Sequence, residues 1–217
     1  MHFLFLLELK KLLINHHLMY EQLRAYINNG TSSIISDEEF KLVEQAFTPK
    51  TVKKKQFLLH EGMVCKYMSF IVKGTMRQYT IDQKGNEHIV RFGIENWWIS
   101  DRDSFINLTP TKYCIDALED TELLVTTNEK LINLRATSVH FNKMCQNLDE
   151  KHFSASQERI QAMISYTAEE RFLHLMNTYP VFIQRIPQAM LASYLGITPE
   201  TLSRIRKQVT LQNKSSR

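Results

Sequence analysis

The segment from Gly196 to Val209, GITPETLSRIRKQV, carries side chains with the chemistry to contact nucleic-acid bases. Glu200, Ser203 and Arg204 are spaced so that a helix would place them on one outward face near its N-terminus. Arginine can bind O6 and N7 of guanine, glutamate can accept from N4 of cytosine, and serine can do either. We therefore predict that these three residues contact base edges in the major groove of double-stranded DNA.

A second set of side chains in and near this segment suits the DNA backbone. Arg206 and Lys207 carry positive charge, and Thr198 can cap the helix so that its first amides point toward a phosphate. Phosphate contacts position a protein on DNA without specifying the sequence. The residues that we predict to contact the backbone are Gln188, Thr198, Thr201, Arg206 and Lys207.

The excess positive charge of the chain lies at this end. The formal net charge is +4, and residues 187–217 contain five basic residues and one acidic residue. The remaining chain contains 22 of each and is neutral. A local excess of this kind indicates a module that meets a polyanion, with a frayed basic tail as the alternative.

The stretch IPQAMLASYLGITPETLSRIRKQV predicts the two helices of a helix-turn-helix. Pro187 can start the first helix, Gly196 permits a sharp turn, and Thr198 with Pro199 can start the second. The apolar positions that would hold the two helices together are Met190, Leu191, Leu195, Ile197, Leu202, Ile205 and Val209. Another helix, over 168–178, is predicted just before this motif.

The central part of the chain has the pattern of antiparallel strands. Between residues 53 and 92, short apolar runs are separated by glycines about a dozen residues apart, which predicts a sandwich or barrel. YTIDQKGNEHIVRF predicts a hairpin that turns at 82–86, with Gly85 at positive φ. A further strand is predicted over 117–126.

Two helices are predicted on either side of this region. Ser36 can cap a helix over 37–47, with Glu39 completing the capping box. Residues 130–166 predict one uninterrupted helix whose apolar stripe, over 131–164, would pair with a second copy of the chain. Two shorter helices packed on the strands are the alternative.

The beginning of the chain, MHFLFLLELKKLL, is apolar without being a secretion signal. It lacks a charged region before the apolar run and a cleavage site after it, and it is too short to cross a membrane. We interpret it as an amphipathic extension, or as an upstream start with Met19 as the real beginning.

Three scattered cysteines indicate a reduced, cytoplasmic protein with neither disulfides nor an iron–sulfur cluster.

Residues for catalysis or metal binding are not clustered along the chain. His60 and His88 stand alone, and His16 and His17 lie in the extension, so the ligand set of a metal enzyme on a barrel scaffold is missing. The sequence also offers no nucleophile with a base and no glycine-rich phosphate loop. We therefore predict that the chain is not an enzyme and has no metal or cofactor.

Over about residues 36–209 the chain resembles the Crp/Fnr family of bacterial transcription regulators. KKKQFLLHEGMVCKYMSFIVKGTMRQYTIDQKGNEHIVRFG resembles the opening strands of the cyclic-nucleotide-binding β-roll, and TPETLSRIRK is similar to the family's recognition helix. The segments GNEHIVRFGIENWWISD and ASYLGITPETLSRIRK look most like Bacteroidetes members. The resemblance implies an α+β protein with an N-terminal antiparallel β-roll, a long dimerisation helix and a C-terminal helix-turn-helix with a reduced wing. The implied segments are an extension (1–35), the roll (36–129), the dimerisation helix (130–166) and the DNA-binding domain (167–217).

The sequence departs from nucleotide-binding members of that family in the phosphate cassette. Those members have a Gly-Glu step for the ribose and an Arg-Ser/Thr-Ala step for the phosphate. Here the glutamate position is assigned to Ser100, and the Arg-Ser pair falls near Thr111 and Lys112. We expect no binding of cyclic AMP because the arginine fork is missing, although Lys112 or Arg102 could compensate. The residues predicted to line an effector pocket are Trp97, Trp98, Ser100, Arg102 and Lys112; the two tryptophans could instead belong to the core or an interface.

These observations predict a homodimeric, sequence-specific transcription regulator that binds palindromic double-stranded DNA. RNA polymerase is an expected partner, a membrane is not, and the effector is unidentified. The alternative is a small-molecule sensor whose roll is the functional part and whose DNA-binding domain is vestigial.

Overall fold

The computed structural model describes residues 2–215 of the 217-residue chain, with side chains at residues 10, 13–209 and 211. The helices are α1 (His2–Thr31), α2 (Asp37–Ala46), α3 (Arg102–Asn107), α4 (Asn128–Thr137), α5 (Val139–Ser165), α6 (Ala168–Thr178), α7 (Pro180–Arg185), α8 (Gln188–Leu195) and α9 (Pro199–Ser215). The strands are β1 (Thr48–Val52), β2 (Phe57–Leu59), β3 (Met68–Lys73), β4 (Met76–Ile81), β5 (Glu87–Gly93), β6 (Trp98–Ile99), β7 (Cys114–Ala117) and β8 (Thr121–Thr126). Among the residues that the structure describes, none of the helices combines the length and the hydrophobicity of a membrane-spanning segment.

The chain divides into two compact units. The first contains Met1–Gln78 and Phe92–Glu150, and the second contains Tyr79–Arg91 and Lys151–Arg217. The first unit is built on the β-roll, whose two four-stranded sheets have the orders β1-β8-β3-β6 and β2-β7-β4-β5. The predicted α+β class, with a β-roll followed by helices, is confirmed.

Alternation along the strands gives the roll two apolar faces. Ile71 and Leu123 pack with Ile115 of the other sheet in a core that both sheets share. Phe70 and Leu124, one residue along each strand, face the other way and pack against the helices of the first unit. The register pairs Phe70 with Leu124 and Ile71 with Leu123 in the antiparallel ladder of β3 and β8.

The second half of α1 belongs to the first unit's core. Met19, Leu23 and Ile27 recur every four residues and are almost fully buried against the outer face of the roll. Tyr20 donates a hydrogen bond to the carbonyl of Phe47, 2.8 Å away. The extension predicted for residues 1–35 therefore contributes from Met19 onward to the packing of the roll.

The turn between β3 and β4 requires glycine. Gly74 has a φ of +106°, and a Cβ built on it would lie 2.4 Å from Oγ1 of Thr121. The hairpin predicted at 82–86 is also present, with Gly85 at a φ of +83°. The carboxylate of Asp82 accepts hydrogen bonds from the amides of Lys84 and Asn86, which closes the turn.

The boundaries of two elements differ from those that the sequence predicts. The strand predicted over 117–126 begins at Thr121, because residue 117 ends β7 and the chain turns between them. The helix predicted over 130–166 is interrupted at Ser138, which has extended backbone angles. The amide of Ser138 closes α4 on the carbonyl of Leu134, and its hydroxyl accepts from the amide of Phe141 at the start of α5.

Glu39 holds this interruption in place and does not complete the predicted capping box. Ser36 caps α2 as expected, accepting from the amide of Glu39. The Glu39 carboxylate instead accepts from the Ser138 hydroxyl at 2.6 Å, and from the amide and Nδ1 of His140 at 2.9 and 2.6 Å. One acidic side chain of α2 thus binds the start of α5.

We expect Glu39→Gln to lower the free energy of unfolding by about 1–2 kcal/mol at neutral pH, because its hydrogen bonds would no longer have a charged acceptor. Burial alone would raise the pKa of Glu39, but the hydrogen bonds from Ser138 and His140 bring it below its ordinary value. A carboxyl with a lowered folded pKa stabilises the fold above its unfolded pKa, and this stabilisation is lost as the pH falls through the folded pKa.

Urea unfolding measured across pH checks this prediction. The difference between wild type and Glu39→Gln should shrink once the pH falls below about 4, the ordinary range of a glutamate pKa. Lys41→Gln, at an exposed position of the same helix, serves as the control. A difference that stays constant down to about pH 2 would show that the Glu39 charge has no part in the effect.

The second unit combines the tip of the β4–β5 hairpin with the last part of α5 and with α6–α9. Helix α6 begins with a capping box in which Thr167 and Glu170 bond each other's backbone amides. Leu175 and Phe182 supply buried apolar contacts from α6 and α7, and Leu191 supplies them from α8. These helices form the support on which α9 lies.

Candidate nucleic-acid interface

Helices α8 and α9 are joined by a tight turn at Gly196. Gly196 has a φ of +67°, and the Ile197 amide donates to the carbonyl of Ala192 at 3.0 Å. Arg171 of α6 reaches the same turn, where its Nε donates to the carbonyl of Leu195 at 3.1 Å. The predicted helix-turn-helix geometry is therefore present and is braced from α6.

Helix α9 has one buried and one exposed face. Leu202, Ile205 and Val209 are at most 6% exposed and hold the helix against its support. Glu200, Ser203 and Arg204, the predicted base-reading residues, are all exposed. Within the described part of the chain, no salt bridge joins Glu200 to Arg204, so the guanidinium is available to a ligand.

The first turn of α9 is capped by Thr198. Its Oγ1 accepts from the amide of Thr201 at 3.2 Å and lies 3.1 Å from the Thr201 hydroxyl. Thr198 and Thr201, which we predict to contact the DNA backbone, are therefore adjacent. The Glu200 carboxylate accepts from its own amide and from the Thr198 hydroxyl, which lowers the pKa of Glu200. Glu200 is therefore held ionised, as an acceptor of hydrogen bonds, at the start of the helix.

The other residues that we predict to contact the DNA backbone lie on α8 and α9. Arg206 donates to Oε1 of Gln188 at 3.2 Å, which joins α9 to the start of α8. Lys207 is exposed on α9. Arg206 and Gln188 are thus joined by a hydrogen bond, whereas Lys207 is exposed to solvent.

The residues predicted for an effector pocket have separate surroundings in the first unit. Trp98 is 4% exposed and packs on Phe70, Phe47 and Phe141, which makes it part of the core. Trp97, also predicted, is half-buried.

Two of the three polar residues of the predicted pocket contact other side chains, and the third is exposed. Ser100 donates to the sulfur of Met68 at 3.2 Å. Arg102 forms a salt bridge with Asp149 of α5, and Lys112 is exposed. The pocket itself stays a prediction.

Sequence reasoning missed a buried polar cluster where the phosphate cassette was expected. Asp101, next to Ser100, is 7% exposed and caps α3, and its Oδ2 accepts from the hydroxyl of Thr111 at 2.6 Å. The hydroxyl of Ser104 accepts from the amide of Cys65 and donates to the carbonyl of Thr109. The S-D-x-x-S spacing of a helix cap was the available signal.

A buried ion pair was missed as well. Arg77 on β4 and Asp116 on β7 form a two-pronged salt bridge, with Nε to Oδ1 at 2.8 Å and Nη2 to Oδ2 at 2.9 Å. Both side chains are less than 10% exposed. Nothing local in the sequence links two residues on strands so far apart along the chain.

Comparison with known proteins agrees with this architecture. Residues 49–138 match the family described as the cyclic nucleotide-binding domain. The regulatory protein HlyX of Actinobacillus pleuropneumoniae is 27% identical over 167 residues, which cover 72% of this chain and 69% of HlyX. Across five similar regulatory proteins, the match spans 60–69% of their lengths.

Solved structures share the fold at lower identity. FixK2 from Bradyrhizobium japonicum has a TM-score of 0.64 and 18% identity, over 77% of this chain and 86% of FixK2. A transcriptional regulator of the Crp/Fnr family from Eubacterium rectale has a TM-score of 0.61 and 16% identity, over 82% of this chain and 85% of that one. The domain match, the similar regulatory proteins and the shared fold together support a transcription regulator. The chain is similar to regulators of the Crp/Fnr family.

Proposed function

We propose that the chain is a homodimer that binds palindromic double-stranded DNA through α9 and thereby regulates transcription. The observation that supports this most is the division of α9 into a buried apolar face and an exposed face with Glu200, Ser203 and Arg204. Such a helix, capped at its N-terminus after a tight turn, has the geometry of a recognition helix in the major groove. RNA polymerase and a cytoplasmic location remain part of the proposal.

The proposed dimer surface is the second half of α5. The first half of the predicted stripe is used by the roll, because Leu134, Phe141 and Met144 are buried in its core. Further along, Phe153 and Ile164 are 67% and 80% exposed, and Ile160 between them is 55% exposed. Their spacing of seven and four residues places them along one seam, as in a two-stranded coiled coil.

Binding of DNA as a dimer is tested by selecting bound duplexes from a random pool. We expect two inverted half-sites about 34 Å apart, one turn of the DNA helix. Sedimentation at micromolar concentration should show a dimer, and Ile160→Glu should shift it toward a monomer. A monomer in the wild type, or a selected pool without a common sequence, would contradict the proposal. Tight binding of a small molecule by a protein with no affinity for DNA would support the alternative sensor function.

We further propose that cyclic AMP is not the effector. Arg102 already pairs with Asp149, and the polar groups at the expected cassette, Asp101 and Thr111, bond each other. An anionic phosphate beside the Asp101 carboxylate would lack the arginine fork that makes such contacts strong. Calorimetry with cyclic AMP should therefore show no binding at micromolar ligand, and DNA affinity should not change when the nucleotide is added. A micromolar or tighter dissociation constant would overturn this prediction.

A further inference from the structure

The outer edge of strand β5 is covered by a side chain of the helix-turn-helix. β5 is the last strand of its sheet, so among the described residues it has no neighbouring strand on its outer side. Ser193 of α8 lies at this edge, where its Oγ donates to the carbonyl of Glu87 at 3.1 Å and accepts from the amide of Ile89 at 3.0 Å. One hydroxyl therefore satisfies a backbone acceptor and a backbone donor of the hairpin.

Arg159 of α5 binds both of the elements that Ser193 joins. Its Nη1 donates to the carbonyl of Val90 on β5. Its guanidinium also lies over the ring of Tyr194, 4.2 Å from the ring centroid, and Tyr194 follows Ser193 on α8. In addition, Arg91 of β5 contacts Nε2 of His152 on α5 at 3.2 Å. The hairpin, the end of α5 and the first helix of the motif are thus tied together at one place, which we call the hairpin latch.

The hairpin latch leaves the reading face of α9 open. Its contacts use Ser193 and Tyr194 of α8, whereas Glu200, Ser203 and Arg204 of α9 remain exposed. A contact that blocked DNA binding would be expected to cover that face. The latch instead joins α8 to the segment of α5 that carries Phe153 and Ile160.

We propose that Ser193 and Arg159 are positioning residues that fix the orientation of the helix-turn-helix on α5. This inference rests on the proposed DNA-binding dimer, because in that dimer the angle at α5 sets the distance between the two recognition helices. With the hairpin latch formed, the dimer fits half-sites of one separation. Without it, each helix-turn-helix still binds a half-site, but the separation is no longer selected.

The test uses the full chain and DNA duplexes in which two selected half-sites are separated by a series of spacer lengths. The variants are Ser193→Ala with Arg159→Met, Ser193→Thr, which keeps the hydroxyl, and Gln184→Ala at an exposed position of α7 as the control. We expect the double variant to bind the preferred spacing about tenfold more weakly and to lose most of its preference among spacings. Its affinity for a single half-site should be unchanged, and Ser193→Thr and Gln184→Ala should behave as the wild type.

Each other outcome has a distinct meaning. Tighter binding by the double variant at the preferred spacing would show that the hairpin latch holds a form unable to bind, which overturns the inference. A spacing preference equal to that of the wild type would also overturn it. If the wild type itself does not distinguish the selected half-site from scrambled DNA, the proposed function fails. Half-site binding and sedimentation of the double variant show whether its motif is folded and the dimer intact.

Discussion

Replacing Asp116 by alanine is expected to lower the free energy of unfolding by about 3–5 kcal/mol, the range for breaking a buried ion pair. The Asp116 carboxylate neutralises Arg77 through two short hydrogen bonds, and both side chains are almost fully buried on neighbouring strands. Without Asp116, a guanidinium that stays charged at any accessible pH would lose two charge-assisted hydrogen bonds inside the fold. Urea unfolding at neutral pH measures this loss.

A double variant distinguishes the cost of the buried charge from the cost of lost packing. Replacing Arg77 by methionine together with Asp116 by leucine removes both charges, so the loss should be clearly smaller than for Asp116→Ala alone. Lys53 and Asp120 form an exposed pair 2.9 Å apart, and Asp120→Ala is the matched control. A loss below about 1 kcal/mol for Asp116→Ala would be typical of a surface pair and would contradict the assignment.

The second large effect is expected on DNA. Arg204→Ala should weaken binding to the selected site by about 1–3 kcal/mol and relax the preference for one base per half-site. Arg204 is exposed on the reading face and, within the described residues, forms no salt bridge with a carboxylate, so its guanidinium can bind a guanine edge. Binding titrations with the selected site and with single-base variants of it measure both effects.

Lys207→Ala provides the comparison for a residue that binds the DNA backbone. Lys207 lies three residues further along α9 and is exposed, and we expect its removal to weaken binding to all DNA sequences about equally. A plot of the logarithm of the binding constant against the logarithm of the salt concentration should then be less steep. Its slope should fall by roughly one unit for each phosphate that the variant no longer neutralises. If Arg204→Ala loses the same affinity on selected and scrambled DNA, Arg204 binds only phosphate and the assigned reading face is wrong.

The parts of the fold that local sequence determines were predictable. The hairpin at Asp82–Asn86 closes through hydrogen bonds from Asp82 to the amides two and four residues later. Its glycine has the expected positive φ. The helix-turn-helix is equally local, since Gly196 turns the chain and Thr198 caps the next helix. Burial of Leu202 and Ile205 follows from helical spacing alone.

The parts that depend on distant partners were not predictable from these patterns. Arg77 and Asp116 lie 39 residues apart, and their pairing depends on the order of strands in the sheet. The interruption at Ser138 involves Glu39, 99 residues earlier. Ser193 contacts the hairpin across more than 100 residues. In each case a polar side chain meets a partner that only the tertiary fold brings near, and periodicity carries no information about that partner.

The proposed function is tested most directly by the affinity of the wild-type chain for its selected palindrome and for scrambled DNA, measured at the same salt concentration. Specific DNA-binding proteins typically bind their sites at least about a thousandfold more tightly than other DNA. We expect a preference of that order, two protomers per palindrome, and a reduced preference for Arg204→Ala. Equal affinity of the wild type for both duplexes would contradict the account.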